Sequence, residues 1–164
     1  MASTRNSSPP AEPAARVAAC LERHVRQGER LVAALSGGID SVVLLHLLHN
    51  LSRHHGFQLS AVHVNHGLSP HADDWQAFCR SLCQSLGIPL EVARVEVQDV
   101  ATVGLEAAAR QARYAAFESV NADWLALAHQ RDDQAETLLF NLLRGAGLAG
   151  AAAMPVVRGF PGRS

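Results

Sequence analysis

The sequence of 164 residues contains no lysine, so that all 14 of its cationic side chains are arginines. A Walker-type P-loop requires a lysine that reaches the β- and γ-phosphates, and this class of nucleotide-binding enzyme is therefore excluded. Aromatic residues are also scarce, at 5%, whereas 48% of the chain is apolar and only 18% is charged. This balance predicts a folded domain with a substantial core that packs through small side chains.

The sequence also lacks a membrane-spanning segment, a secretory signal, a CxxC pair and a basic run. No apolar run approaches the roughly 20 residues of a membrane helix, and residues 1–13 lack the apolar stretch of a secretory signal. We therefore expect a disordered tail at residues 1–13, a cytoplasmic protein and no membrane partner. Cys20, Cys79 and Cys83 form no CxxC pair, which favours buried thiols over a metal or redox site. The net charge of −1, without a basic run, gives no sign of a nucleic-acid footprint.

Short apolar strands alternate with helices along the chain. We predict strands at residues 31–35, 59–64, 90–97 and 124–128, and helices at residues 14–27, 42–51, 70–86, 104–120 and 133–143. This alternation indicates βαβ units in an α/β fold, a doubly wound parallel sheet with helices on both faces. We assign residues 14–154 to this domain and residues 155–164 to a truncated C-terminal segment.

Polar clusters follow three of the predicted strands, at residues 36–41, 63–67 and 129–136. Because the C-terminal ends of parallel strands meet at one edge of a sheet, we expect the three clusters to converge. Ligands of such sheets bind beyond those ends, near the point where the strand order reverses. The clusters therefore predict a single ligand site.

The string SGGIDS at residues 36–41 carries the strongest signal in the chain. Gly37 and Gly38 lack a Cβ atom and let a phosphate approach the main chain, whose amides form an anion-binding nest ahead of a helix. Ser36 and Ser41 add hydroxyl donors. Asp40 needs a cation between its carboxylate and a polyphosphate, which suits a Mg²⁺ ligand. The alternative is a tight turn in which Ser36 or Asp40 only caps the helix.

This string resembles the PP-loop of the ATP pyrophosphatase superfamily, whose members split ATP into AMP and pyrophosphate. The resemblance implies the adenine nucleotide alpha hydrolase-like fold, with ATP and Mg²⁺ as cofactors. It also implies a catalytic role and a metal-binding role for Asp40. The implied ATP-binding residues are Ala34, Ser36, Gly37, Gly38, Ile39, Asp40, Ser41 and His63.

Four further strings resemble tRNA(Ile)-lysidine synthetases: VHVNHGL at residues 62–68, EAAARQARY at 106–114, AHQRDDQAET at 128–137 and LRGAGL at 143–148. The resemblance covers about residues 30–155 and implies a ligase that acts on an isoleucine tRNA with a CAU anticodon. These enzymes adenylate C2 of the wobble cytidine, and the ε-amine of free lysine then displaces AMP to give lysidine. A homodimer is a candidate assembly.

The resemblance assigns lysine binding to Asp132, Asp133 and Glu136, with Asp133 and Glu136 also catalytic. The last two lie one helical turn apart, so that both carboxylates face the same way and one can take a proton from the attacking amine. Asp133 and Glu136 also fit a capping box. Both roles can hold at once.

Arginines and histidines supply the remaining candidates. Arg110 and Arg113 are catalytic candidates that face the triphosphate or the adenylated base, and a surface ion pair between Glu106 and Arg110 is the alternative. Further candidates for contact with tRNA or phosphate are His66, His129 and Arg144, with a non-catalytic polar role as the alternative for each histidine and helix-end charge matching for Arg144.

Two other functions stay open. A tRNA thiolation enzyme of the same superfamily needs cysteines that carry sulfur or an iron–sulfur cluster, usually with a CxxC pair, which this chain lacks. A nucleotide-binding fragment without catalysis of its own fits the near-neutral charge and the missing tRNA-binding domains. In that case the chain binds ATP and is inactive alone.

Overall fold

The computed structural model describes residues 13–98 and 100–128. In chain order its elements are α1 (Pro13–His24), β1 (Arg30–Ala34), α2 (Ile39–His55), β2 (Gln58–Asn65), α3 (Ala72–Leu86), β3 (Leu90–Arg94), α4 (Val100–Val103), α5 (Leu105–Ser119) and β4 (Trp124–Ala126). The four predicted strands and four of the predicted helices are confirmed, and α4 is an element that the sequence reading missed. The predicted helix at 133–143 lies outside the described residues, as do residues 1–12 of the predicted tail.

The strands form one parallel sheet in the order β3-β2-β1-β4. The chain moves outwards from β1 through β2 to β3 and then returns to the other side of β1. The strand order therefore reverses between β1 and β4, the place where ligands bind in doubly wound sheets. The predicted fold class is confirmed.

Helices cover both faces of the sheet. Alternate residues of a strand point to opposite faces, so Leu31 and Ala33 of β1 join a core with α1, α2 and α3, whereas Val32 joins a second core with Phe117 of α5. Leu45 and Leu48 on α2 are fully buried in the first core. Truncating either leucine to alanine should cost about 2–5 kcal/mol of unfolding free energy.

Several element boundaries differ from the predictions by a few residues, and two of these differences have identifiable reasons. Helix α2 begins at Ile39, three residues early, because the amide of Val42 already donates to the carbonyl of Gly38 at 3.1 Å. Strand β3 ends at Arg94, not at residue 97, because its neighbour β2 ends at Asn65, the register partner of Arg94. No helix within residues 13–98 and 100–128 is long and apolar enough to cross a membrane.

Candidate functional site

The turn between β1 and α2 presents main-chain amides at the C-terminal end of the sheet. Gly38 is the N-cap of α2 with extended backbone angles, φ −71° and ψ 157°, and no side chain caps the helix. The first amides of a helix have no partner within the helix and carry its positive end. An uncapped helix start after a buried strand suits an anion.

Two hydroxyl groups bridge the same turn. Ser36 Oγ accepts a hydrogen bond from the Gly38 amide at 3.3 Å and donates to Ser41 Oγ at 3.1 Å. Ser41 Oγ in turn donates to the Gly38 carbonyl at 2.8 Å. The two hydroxyls therefore meet across the loop, and both can reorient towards a ligand that enters it.

Glycine occupies the two positions 37 and 38 of the turn for different structural reasons. Gly37 adopts φ +91°, and a Cβ atom there would lie 3.0 Å from Cε3 of Trp75. A Cβ atom on Gly38 would meet only Ser36 Oγ, at an ordinary 3.5 Å. The fold thus requires glycine at position 37 but not at position 38. Close approach of a ligand to the main chain is the remaining physical reason for Gly38.

His63 of β2 supports the turn through a contact with the main chain directly before it. Its side chain is only 4% exposed, and Nδ1 lies 2.8 Å from the Leu35 carbonyl oxygen and 3.5 Å from Cys79 Sγ. Because Leu35 immediately precedes the loop sequence, the imidazole holds the base of the loop. The predicted contact between His63 and ATP stays a prediction, and the observed contact of the ring is with the protein main chain.

The thiol of Cys79 belongs to the same buried contact. Burial raises the pKa of Cys79 to about 11, with the neighbouring Cys83 as a smaller cause. Burial likewise raises the pKa of Cys83. The two thiols are therefore neutral packing groups near neutral pH and not nucleophiles. The expectation of buried thiols is confirmed for both, and Cys20 is partly buried.

A network of hydrogen bonds centred on the Asn65 side chain fixes the turn after β2. The sequence analysis did not identify Asn65 as a residue of the site. Asn65 Oδ1 accepts from the Gly67 amide at 2.9 Å, while Nδ2 donates to Asp73 Oδ1 and to Gln76 Oε1 on α3, both at 3.2 Å. An asparagine two residues before a glycine was an available signal, because asparagine side chains accept from main-chain amides in turns.

His66 directly follows Asn65, the last residue of β2, and is partly buried. Its pKa is lowered by burial, by the nearby Arg113 guanidinium and by His63. Arg110 instead stacks on the Tyr114 ring, with Cζ 5.4 Å from the ring centroid. The alternative of an ion pair between Glu106 and Arg110 is wrong, since the ion pairs found in the described ranges do not include it.

Asp40 lies exposed in the first turn of α2, beside the loop. Among residues 13–98 and 100–128, no group of three or more His, Cys, Asp or Glu side chains could hold a metal ion. Mg²⁺ commonly takes only one or two carboxylates and fills its octahedron with phosphate oxygens and water.

The family model described as PP-loop domain matches residues 11–163. This chain belongs to the PP-loop domain family. Its uncapped turn at residues 36–41 is thus the PP-loop, and the fold implied by the sequence resemblance is confirmed.

Curated relatives of this PP-loop domain are named tRNA(Ile)-lysidine synthase. The chain is 53% identical over 138 residues to the protein from Nitrosomonas europaea, a match that covers 84% of this chain and 30% of the relative. It is 54% identical over 133 residues to the protein from Neisseria meningitidis serogroup B, covering 81% of this chain and 31% of the relative. The chain thus spans about 30% of the length of these curated relatives.

A solved structure shows the same fold. The U34-tRNA thiolase NcsA from Methanococcus maripaludis, solved with its [4Fe-4S] cluster, superposes with a TM-score of 0.63. The match has 23% sequence identity and covers 73% of this chain and 44% of that chain. At this identity the similarity concerns the fold.

The structure brings together part of the predicted site. Ala34 ends β1, and His63 lies two residues before the end of the neighbouring strand β2. Leu35 donates its amide to the Val62 carbonyl at 2.8 Å, and these two residues directly precede the predicted clusters at 36–41 and 63–67, which are therefore neighbours. Strand β4 pairs with β1 up to Ala126, beside the end of β1. The third cluster lies outside the described residues, together with the candidates His129, Asp132, Asp133, Glu136 and Arg144.

Proposed function

We propose that this PP-loop domain binds ATP with Mg²⁺ and serves lysidine formation on an isoleucine tRNA with a CAU anticodon. The identity of about 53% to curated tRNA(Ile)-lysidine synthases, over most of this chain, is the observation that carries the proposal. The uncapped PP-loop at the strand-order reversal supports its nucleotide-binding part. The proposed location is the cytoplasm, where free lysine and tRNA meet.

The PP-loop holds the pyrophosphate end of the nucleotide in this proposal. The amides at the start of α2 bind phosphate oxygens, and the hydroxyls of Ser36 and Ser41 turn from each other to the ligand. Gly38 lets the phosphates reach the main chain, as its open surroundings allow. Asp40 would hold Mg²⁺ together with the phosphates, and the bound ion would supply positive charge opposite the leaving pyrophosphate.

The reaction proceeds in two substitutions. The C2 carbonyl oxygen of the wobble cytidine attacks the α-phosphorus of ATP, the bond to the β-phosphate oxygen breaks, and pyrophosphate leaves. The lysine ε-amine then attacks C2, the C2–O bond to AMP breaks, and the amine loses a proton. We assign the lysine ammonium and this proton to Asp133 and Glu136, whose paired carboxylates suit both tasks.

The thiolation alternative receives less support from the described cysteines. Cys79 and Cys83 are buried, and the pKa of each is raised by burial. A sulfur carrier needs an accessible thiolate. The relatives at about 53% identity are named as lysidine synthases, whereas the thiolase NcsA shares only the fold.

The test follows label from [α-³²P]ATP in the protein that carries this chain. We expect labelled AMP to be transferred to tRNA without lysine and to be released as free AMP when lysine is added, in each case only with Mg²⁺. Gly38→Ala should abolish transfer, and Gln84→Ala, an exposed site on α3, serves as the matched control. A requirement for a sulfur donor in place of lysine would reject lysidine formation.

A further inference from the structure

Two exposed aromatic residues lie near the start of α3. Trp75 and Phe78 are one helical turn apart, and each is 48% exposed. Aromatic residues make up only 5% of the chain, so two exposed ones on one helix face are a notable use of them. A single exposed apolar residue is normal on a protein surface, whereas a cluster marks an interaction site. This aromatic pair, Trp75 and Phe78, is therefore a candidate binding surface.

The aromatic pair borders the PP-loop. A Cβ atom on Gly37 would lie 3.0 Å from Cε3 of Trp75 and 3.8 Å from Cδ1 of Phe78, so both rings approach the same main-chain position of the loop. Ile39, two residues further along the loop, is 76% exposed. A ligand that covers the pair would therefore lie beside a nucleotide that the loop holds.

The charges next to the pair disfavour phosphate groups. Asp73 and Asp74 directly precede Trp75 on α3, and carboxylates repel the backbone of a nucleic acid. The guanidinium of Arg94 is already engaged, with Nη2 3.1 Å from Oδ1 of Asp73. A nucleobase carries no charge, and its face stacks on an aromatic ring. The pair therefore suits the bases of an RNA rather than its phosphates.

An anticodon loop supplies bases of this kind. Bases in RNA loops can be splayed out, and proteins recognise them by stacking on Trp and Phe rings. In the proposed function the wobble base reacts with a nucleotide on the PP-loop, and the bases next to it in the RNA come close to the loop as well. Stacking on the adjacent aromatic pair would hold the loop of the RNA in place.

We propose that Trp75 and Phe78 form a stacking surface for a base next to the wobble position of the anticodon loop. The inference rests on the proposed function, which brings the wobble base to the PP-loop, and it adds a base contact outside the nucleotide site. Trp75 is the main stacking residue, because the indole has the larger face and lies closer to Gly37.

Intrinsic fluorescence of the 164-residue chain tests this surface, because the chain has only two tryptophans, Trp75 and Trp124. Trp124 begins β4 at the opposite end of the sheet, where its Nε1 atom donates to Glu29 at 2.6 Å. In a Trp124→Phe chain, an anticodon stem-loop RNA should quench the emission of Trp75 by stacking. In the matched Trp75→Phe chain, the same RNA should leave the emission of Trp124 unchanged.

Two further RNA probes identify what covers Trp75. An RNA duplex of the same length carries the backbone charge without splayed bases and should cause little quenching. An abasic residue next to the wobble position should remove the quenching by the stem-loop. No quenching by the intact stem-loop, or equal quenching by the duplex, would overturn the proposal. A shift of the Trp75 emission with protein concentration in the absence of RNA would also overturn it, since a second copy would then cover the pair.

Substitution of the pair should weaken RNA binding and spare ATP binding. Trp75→Leu and Phe78→Leu keep apolar bulk against Gly37 but lose the aromatic face, so we expect each to bind the stem-loop about fivefold to a hundredfold more weakly. Calorimetric titration with Mg²⁺–ATP should give the wild-type affinity. Gln84→Ala, at an exposed position on the same helix, is the control, and RNA affinities equal to this control would contradict the stacking role.

The inference and the proposed function fail in different ways. Gly38→Ala should abolish ATP binding and leave the quenching of Trp75 intact. Loss of AMP transfer in a protein whose Trp75 is still quenched would reject the proposed function alone, whereas AMP transfer without quenching would reject the stacking surface alone. Thermal melts identify variants that fail to fold, and the quenching of native Trp75 still decides the proposal if the leucine variants do not fold.

Discussion

The Nδ1 atom of His63 on β2 lies 2.8 Å from the carbonyl oxygen of Leu35, the residue that precedes the PP-loop on β1. A side chain of one strand thus supports the loop that its neighbour presents. Cys79 of α3 also contacts the imidazole, with its Sγ atom 3.5 Å from Nδ1 of His63. The position of the loop therefore depends on β1, β2 and α3 together.

Replacing His63 by alanine should affect both the fold and the loop. The buried Leu35 carbonyl would lose its imidazole donor and keep only the weak thiol donor of Cys79 at 3.8 Å, so we expect the free energy of unfolding to fall by about 1–3 kcal/mol and ATP to bind more weakly. Urea denaturation and ATP titration measure the two effects. His46→Ala on the exposed side of α2 is the control, and a His63→Ala chain as stable as this control would contradict the supporting role.

Alanine substitutions of the two loop glycines should affect thermal stability and ATP binding separately. Gly37→Ala places a Cβ atom 3.0 Å from Trp75 at φ +91°, so the melting temperature should fall. Gly38→Ala keeps an allowed extended conformation, so its melting temperature should stay at or above the wild-type value while ATP binding is lost. Equal melting temperatures for the two variants, or ATP binding by Gly38→Ala, would contradict these assignments.

The His66 imidazole should titrate below its ordinary pKa because burial and the Arg113 charge both disfavour the imidazolium. In the window between this lowered pKa and the unfolded value of about 6.5, the unfolded chain binds more protons, so His66 contributes a loss of stability as the pH falls. NMR titration of the ring measures the pKa. Arg113→Ala should raise the pKa of His66. An unchanged pKa would show that the Arg113 charge does not influence the ring.

Asp133→Asn should spare ATP binding and raise the lysine concentration needed for release of AMP from adenylated tRNA. The amide keeps the shape of the carboxylate but loses the charge that attracts an ammonium ion. AMP release at increasing lysine concentration is the measurement. Asp74→Asn, an exposed carboxylate on α3, is the control, and the same lysine dependence in both variants would remove Asp133 from the lysine site.

Much of the fold could be predicted from the sequence because its signals are local. Apolar runs of strand length, the helical spacing of apolar residues and the glycine after a helix act within a few residues. The extent of β3 could not be predicted in this way, since it ends where its partner β2 ends at Asn65. Helix α4 is four residues long and carries no periodic pattern that would reveal it.

The sequence by itself determined the fold class and the family of this protein, because the alternation of apolar strands with helices and the string SGGIDS at residues 36–41 are both patterns of neighbouring residues. Only the tertiary structure decided that Gly37 is required by Trp75, that His63 supports the loop, and that Arg110 packs against the Tyr114 ring. Each of these contacts joins residues that are distant in the chain or that share one helix surface. Their distances depend on how sheet and helices pack, which no local pattern specifies.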